Sequence, residues 1–351
     1  MDQNFDRPDF EKAYVTWYRS HHISRRCCIG LSGAAAREMR CILERLFMSL
    51  CETNEEEWLY VNDKLFAKAQ EEIANCKKLD VDPMKIIHEI TGGFDLNVTT
   101  PDSPPVMNEN VFSYGEFSVT LPPALAQRYK KYPLEEVITM LMRIHSLCPQ
   151  GQQWAMPRDW FANVKKRYGH HLIGFSSPLN TQVENIPFCS IHSGDVAFGG
   201  VGDIFRLNFR EWVTRFAGRR CTVTMNPPFI EQVMSDSADL IENWFEVANE
   251  LKVELTILFN GPEWSDAAFY TKLMKSKYLK ADKLLGKGKH RYQDCLTFKT
   301  ITAYFGSHLF ALDNHSNSPN YYNSMALGIE CADGRKNTSF KHGGRGARYK
   351  K

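Results

Sequence analysis

The sequence predicts an α/β protein, with a helical N-terminal region leading into a core built on a mainly parallel sheet. Three patterns carry this. Apolar residues recur at three- and four-residue spacing through much of residues 8–92. Residues 95–110 then break the periodicity, with Pro101, Pro104 and Pro105 set among small polar residues. From about residue 168, short β-branched or apolar runs alternate with loops and a long amphipathic segment. Strands alternating with helices favour a parallel, doubly wound sheet. Such sheets bind ligands at the carboxyl ends of their strands.

In the first region Met39, Ile42, Leu43, Leu46, Phe47 and Leu50 fall on one face of a helix over 34–50. Residues 55–76 continue in that style. Asp82 and Pro83 supply a cap and a first-turn proline for MKIIHEI, which Gly92 and Gly93 end. The proline-rich stretch 95–110 reads as a linker or surface loop without regular structure. Phe117 to Leu121 alternates like a strand, and Pro122-Pro123 stops it. A second amphipathic helix is expected over 134–147, followed by GQQWAMP (151–157).

In the core, HLIGF (171–175) is a short strand that runs into the loop SSPLN, and DVAFGG (195–200) is a second strand candidate. CTVTM (221–225) is a strand that runs directly into Asn226-Pro227-Pro228-Phe229. A helix follows over 230–251, with Val233, Leu240, Trp244, Val247 and Leu251 on its buried face. VELTILFN (253–260) is the next strand, and 296–314 reads as a closing pair of strands with Gly306 near their turn. The expected division is a helical domain and linker over 1–110 and a helical and strand junction packing on the core over 111–167. The core itself is expected over 168–315 and a basic tail over 316–351. No internal repeat is visible.

With 351 residues, 43% hydrophobic and 24% charged, the composition is that of a soluble globular protein with a sizeable core. The net charge of +2 gives no whole-molecule signature of a nucleic-acid binder, so any basic surface must be local. No run approaches the ~20 apolar residues that span a bilayer, and MDQNFDRPDFEKAY lacks the layout of a signal peptide. An intracellular protein with no membrane partner is expected. The ten cysteines include no CxxC pair, so reduced, packed thiols are expected and no zinc ribbon. His170 and His171 would point in different directions along a strand. No metal is expected.

The chemistry concentrates at Asn226, Pro227, Pro228 and Phe229. An exocyclic ring amine is a weak nucleophile, because its lone pair is delocalised into the ring. The side-chain oxygen of Asn226 and the carbonyl of Pro227 can each accept one N–H bond from such an amine. That frees the lone pair and aims it for in-line displacement at a methyl group. The prolines stiffen the turn, and Phe229 would stack on a base that is extruded or already single-stranded. The bland alternative is a proline turn whose Asn starts the following helix. The motif alone does not separate adenine in RNA from adenine in DNA, cytosine or a glutamine amide.

FSSPLN (175–180), FGG (198–200), NPPFIE (226–231) and FNGPEW (259–264) occur in that order. With GQQWAMP and FSVTLPPAL (117–125), they resemble the phosphorylated-CTD-interacting factor family, the cap-specific adenosine N6-methyltransferases, over roughly residues 110–315. The resemblance implies a class I (Rossmann-like) methyltransferase core with an appended helical domain, and S-adenosylmethionine as cofactor. It implies capped mRNA as partner, the target being the first transcribed adenosine beside a 7-methylguanosine cap, and residence in the nucleus; a cytoplasmic enzyme would read the same. On this reading Asn226 to Phe229 form the adenine site. Ser177, Pro178, Leu179 and Asn180 form the cofactor loop, and Asp195 and Phe198 lie near the adenosine half of the cofactor. Glu231 braces the catalytic loop. A two-tryptophan WW-type module is not evident at the N-terminus, which puts polymerase-tail binding in doubt.

Several other residues have two readings. In residues 272–294, Lys287, Lys289 and Arg291 are assigned to phosphate contacts, with Tyr292 and Tyr278 as stacking aromatics. The earlier lysines are read as a solvated helix face. Trp264 either stacks on a ligand or plugs the sheet end, and Trp154 is expected in the core. Arg25 and Arg26 are read as a solvated helix end. The tail from Gly334 carries seven Lys or Arg and no acid, which suits disorder and nonspecific RNA affinity.

Overall fold

The computed structural model describes residues 10–11, 13–15, 17–18, 99–146, 153–315, 320–321 and 324–331. The helices expected at 34–50, 55–76 and around MKIIHEI lie outside these residues, as do Arg25, Arg26 and the sequence from Gly334; of the expected tail over 316–351, Tyr321, Met325, Ala326 and Ile329 are described and buried. The chain divides into two compact units, Met1–Gln150 and Gly151–Lys351.

In the first unit, β1 (Val106–Asn108), β2 (Val111–Tyr114) and β3 (Phe117–Thr120) form an antiparallel meander. β1 lies inside the stretch expected to be irregular. It is an edge strand, bonded to β2 alone, so it needs partners on one side only, and Pro104 and Pro105 precede it without interrupting a ladder. Gly115 makes the β2–β3 turn at φ +55°, where an added Cβ would meet Pro101 Cγ at 2.4 Å. The expected strand at 117–121 is present, and Pro123 opens α1 (Pro123–Tyr129). α2 (Leu134–Ser146) follows where the periodicity placed it.

The second unit is a mixed α/β core. Its main sheet has the order β5 (Leu172–Ile173), β6 (Arg220–Met225), β7 (Glu254–Pro262), β11 (Ser307–Asp313), β8 (Leu279–Leu285). β5, β6 and β7 are parallel, whereas β11 runs against both β7 and β8. Single parallel bridges extend the sheet past β5, from Ile173 to Phe188 and from Phe188 to Gly200. A smaller antiparallel sheet has the order β10 (Thr300–Thr302), β9 (Arg291–Asp294), β4 (Trp154–Ala155).

Two strand expectations change. DVAFGG is a 3-10 helix, Ser193–Phe198, closed by Gly199 at φ 97°. Only Gly200 of that motif reaches the sheet, because the bond from Gly200 N–H to the Asp195 carbonyl curls the segment first. The strands of 296–314 exist but do not pair with each other. β11 is buried along its whole length and inserts between β7 and β8, while β10 is an edge strand. Of the earlier lysines read as a helix face, Lys272 and Lys275 lie on α6 (Ala268–Lys275), whereas Lys280 and Lys283 lie on β8, which a turn joins to β9.

Helices α3 (Arg158–Tyr168), α4 (Phe209–Thr214), α5 (Glu231–Glu250) and α6 complete the unit. α5 presents Met234, Ala238, Ile241, Phe245 and Ala248 to the sheet. The expected face is rotated: Val233 and Trp244 are buried, but Leu240, Val247 and Leu251 lie on the flank. The small residues Ser237, Ala238 and Ala248 let the helix approach closely, which an apolar count that favours large side chains overlooks. Phe209 stacks on Trp244 at 4.0 Å, and Phe245 stacks on Tyr278 at 4.2 Å. Tyr278 is therefore a core residue whose hydroxyl accepts from Asn249, not a stacking surface for a base. Cys189, Cys221 and Cys295 are free and buried, packed as small hydrophobes. Among the described residues no helix is long and apolar enough to cross a membrane.

Phe245→Ala empties a fully buried site and removes the Tyr278 stack. The expected loss is about 3–5 kcal/mol, measured by denaturant unfolding of the full chain.

Candidate active site

The loops after β5, β6 and β7 meet at the carboxyl ends of the three parallel strands. Gly174 makes this possible: a Cβ there would lie 2.8 Å from Ile204 Cδ1 and 3.0 Å from Met225 Cγ. Between the first two loops lies a cleft lined by Ala155, Met156, Phe175, Ser176, Asn180 and Asn226 among others.

Asn226 follows β6 directly and is half-buried. Its Nδ2 donates to the Trp154 carbonyl at 3.1 Å, and its Oδ1 accepts from Asn260 Nδ2 at 2.5 Å. Pro227 is buried, and Ile230 N–H closes a tight turn onto the Pro228 carbonyl at 2.7 Å. α5 starts from Ile230 with no side-chain cap, so Asn226 is not a helix cap; its amide is committed to Trp154 and Asn260. Phe229 is half-buried, edge-on to Phe305 at 5.6 Å and to Trp264 at 6.4 Å.

The loop 176–181 is braced from within. Asn180 Oδ1 accepts from the Ser177 backbone N–H and from Ser176 Oγ, each at 2.7 Å. Ser177 Oγ donates to Gln153 Oε1 at 2.7 Å. Ser177, Pro178 and Leu179 are buried, so they shape the loop. Phe175, Ser176 and Asn180 face the cleft.

Asp195 and Phe198 sit together in the 3-10 helix, both buried. The Asp195 carboxylate is turned inward and accepts from Ser190 Oγ at 2.5 Å. It therefore holds its own turn and is not presented as a ribose acceptor. Glu231 is half-buried in the first turn of α5. Trp264 is half-buried at the end of β7, between Phe229 and Phe269. Lys287 and Lys289 are exposed on the β8–β9 turn, and Arg291 is half-buried on β9. Tyr292 corrects the stacking assignment. Only 1% exposed, it offers no ring face to a base, because its strand β9 is the centre of the small sheet. Burial pushes its phenol up to about 12, against the lowering effect of hydrogen bonds with Ser307 and Asn260, so it stays protonated.

Trp154, Tyr304 and Asn260, with Phe305 as their aromatic neighbour, join the site although sequence reasoning did not select them. Trp154, expected in the core, is half-buried beside Asn226 and stacks on Phe305 at 6.2 Å and 13°. Tyr304 stands 57% exposed, edge-on to Trp154 and Phe305. Asn260, 1% exposed, ends an otherwise apolar strand run. Its one sequence signal was its place in the FNGPEW motif, after Ile257-Leu258-Phe259. Among the described residues there is no group of three or more His, Cys, Asp or Glu that could hold a metal ion.

The fold and site thus define a mixed α/β protein with an amide-lined cleft at the carboxyl ends of a parallel sheet. The family model described as Phosphorylated CTD interacting factor 1 WW domain matches residues 124–295, from α1 to the end of β9, with Asn226, Asn260 and the cleft loops inside it. Over these residues the chain is similar to the phosphorylated CTD interacting factor family. No curated protein matches it.

His170 supports the floor of the cleft. Its Nε2 bonds Thr224 Oγ1 at 2.8 Å, and its ring stacks on Phe161 at 5.5 Å. Burial, assisted by neighbouring His171, pushes its pKa down to about 3. The unfolded chain takes up this proton below about pH 6.5. The contribution is therefore whole above pH 6.5 and drains away as the pH falls toward 3, at up to about 1.4 kcal/mol per pH unit. His170→Gln, which has no such proton to bind, is expected to show a shallower acid slope in unfolding free energy between pH 6.5 and 4. An unchanged slope would remove His170 as its source.

Proposed function

We propose that this chain is a methyltransferase that uses S-adenosylmethionine to methylate the N6 amine of adenosine in RNA, at the first transcribed adenosine beside a 7-methylguanosine cap. One observation carries the reading. Asn226 lines the cleft with its Nδ2 taken by Trp154 and one Oδ1 lone pair taken by Asn260, which leaves one lone pair for an incoming N–H.

The sheet supports a class I core. Three parallel strands continue through Phe188 and Gly200 on one side, and on the other side the reversed β11 separates β7 from β8. The cleft residues suit a nucleoside-bearing donor: Ala155, Met156 and Phe175 give apolar walls, and Ser176 and Asn180 give polar points. Asp195 is not among the groups offered, so the ribose contacts fall to other residues of these loops. When bound, the donor supplies an electrophilic methyl group on a sulfonium.

The chain's own part is to hold the acceptor. Asn226 Oδ1 and the Pro227 carbonyl take the two amine hydrogens, which turns the nitrogen lone pair toward the methyl. Phe229, with Phe305 and Trp264 behind it, gives the adenine a rigid face. The proton carried by the product amine passes to water, so no base of shifted pKa is needed. Lys287 and Lys289, exposed on the β8–β9 turn, would meet RNA phosphates and make affinity fall with salt. Residence in the nucleus follows from such a substrate.

Labelled-donor assays on capped and uncapped RNA oligonucleotides of one sequence, each starting with adenosine, test the assignment. Transfer to the capped RNA is expected, and equal transfer to both would remove the cap from it. Asn226→Ala is expected to lose ~10²–10³ in kcat with S-adenosylmethionine binding by calorimetry retained. Unchanged turnover would remove Asn226 from the site.

A further inference from the structure

Seven polar groups form a continuous line away from the cleft, and donor and acceptor roles along it can be assigned from its two ends. At one end His290 Nδ1 lies 3.2 Å from the Gly286 carbonyl. A carbonyl only accepts, so Nδ1 carries the proton. Burial holds the ring's pKa below its ordinary value, which keeps it neutral and makes Nε2 an acceptor. Ser307 Oγ, 2.8 Å away, therefore donates to Nε2. Tyr292 Oη, 2.8 Å from Ser307 Oγ, must then donate to it. Tyr292 Oη in turn accepts from Asn260 Nδ2 at 2.8 Å. At the other end, the Trp154 carbonyl accepts from Asn226 Nδ2, so Asn226 Oδ1 accepts, and its donor is again Asn260 Nδ2.

The two chains run in opposite directions from one nitrogen. Within this space a neutral side chain can donate twice from a single atom only as a primary amide. The orientation has a cost: Asn260 Oδ1 is buried with no hydrogen-bond partner among the described residues. Turning the amide over would set Oδ1 against Asn226 Oδ1, acceptor facing acceptor. The amide keeps the orientation that serves Asn226 rather than the one that would place its own oxygen.

We propose that Asn260 is a positioning residue that fixes which way round the Asn226 amide stands, with Tyr292, Ser307 and His290 ordering its protons from behind. This rests on the methyl-transfer reading of Asn226. The Trp154 carbonyl holds the amide from its nitrogen side; an acceptor in place of the Asn260 donor would face Asn226 Oδ1 and draw the amide round, so that it presents N–H groups to the substrate amine, which then finds no acceptor.

Asn260→Asp keeps the shape and removes the double donation. Methyl transfer from labelled S-adenosylmethionine to 7-methylguanosine-capped RNA is the assay. The variant is expected to lose ~10² or more in kcat, with KM for RNA and the calorimetric Kd for S-adenosylmethionine held within about threefold. The double variant Asn226→Ala/Asn260→Asp is expected to be no slower than Asn226→Ala, since Asn260 acts only through Asn226. Losses that multiply would overturn the proposal. Tyr292→Phe and Ser307→Ala, each crossed with Asn226→Ala, carry the same test if Asn260→Asp does not fold. Hydrogen exchange at the Asn226 side-chain amide, followed by NMR, needs no activity. Exchange is expected to be slow in the wild type and fast in Asn260→Asp, and equal rates would overturn the proposal. A wild type that transfers no methyl but shows this exchange difference would sink the methyltransferase reading and leave the positioning role standing.

Discussion

A strand buried on both faces must satisfy its polar groups without water, and the pairing of Asn226 with Asn260 is where this core meets that constraint. The register makes the pair. Parallel β6 and β7 align Met225 with Phe259, so the next residue on each strand is an asparagine. Neighbouring strands lie about 4.8 Å apart, within reach of a short amide. A slip of one residue would send one amide to the opposite face of the sheet and break the bond between them. The site is thus a consequence of strand register, and register is held by the apolar strands that pack under α5.

The same logic places the other loops. β5 can end beside β6 because Gly174 leaves room for Ile204 and Met225, and this brings Ser176 and Asn180 to the rim that Asn226 occupies. β11 enters next to β7 with its first residue, Ser307, opposite Pro262. That delivers Phe305 and Tyr304 to the ring face of Trp154 and joins Ser307 to Tyr292. The aromatic groups surround the amide with low-dielectric material, where each hydrogen bond is electrostatically stronger than it would be in water.

Much of this was legible in the residues. β-branched CTVTM, the long amphipathic run after it and VELTILFN gave two parallel strands and their helix, and Asn226 to Phe229 gave the place where chemistry collects. What sequence could not give was pairing. The segment 296–314 showed two strands but not that β11 would insert between β7 and β8. DVAFGG had strand-like composition, yet one backbone bond from Gly200 to Asp195 coils it. Tyr292 and Trp154 both differ from expectation: the tyrosine assigned to substrate is buried in the small sheet, and the tryptophan assigned to the core is half-buried beside Asn226. Both assignments rested on local neighbours, whereas burial was decided by β9 pairing with β4 and β10. Asn260 was read only as part of VELTILFN and FNGPEW, because the role of its amide depends on its neighbour across the sheet.

Two features of the site run against stability taken alone. Tyr304 exposes most of an aromatic ring, and Asn260 Oδ1 is buried without a partner at a cost on the order of 1–3 kcal/mol. A core selected only for stability would replace Asn260 and its partners together with apolar residues of similar volume, since removing both sides of a buried polar pair is close to neutral. Retaining the amide makes sense if its two N–H groups have work that an apolar residue cannot do. Asn226 defines that work: with one lone pair spoken for and its nitrogen tied to a backbone carbonyl, it has a single acceptor direction left, pre-set before any substrate arrives. Preorganised acceptors are effective because they need no rearrangement at the moment of reaction. The cost borne at Asn260 is then the means by which Asn226 is held ready.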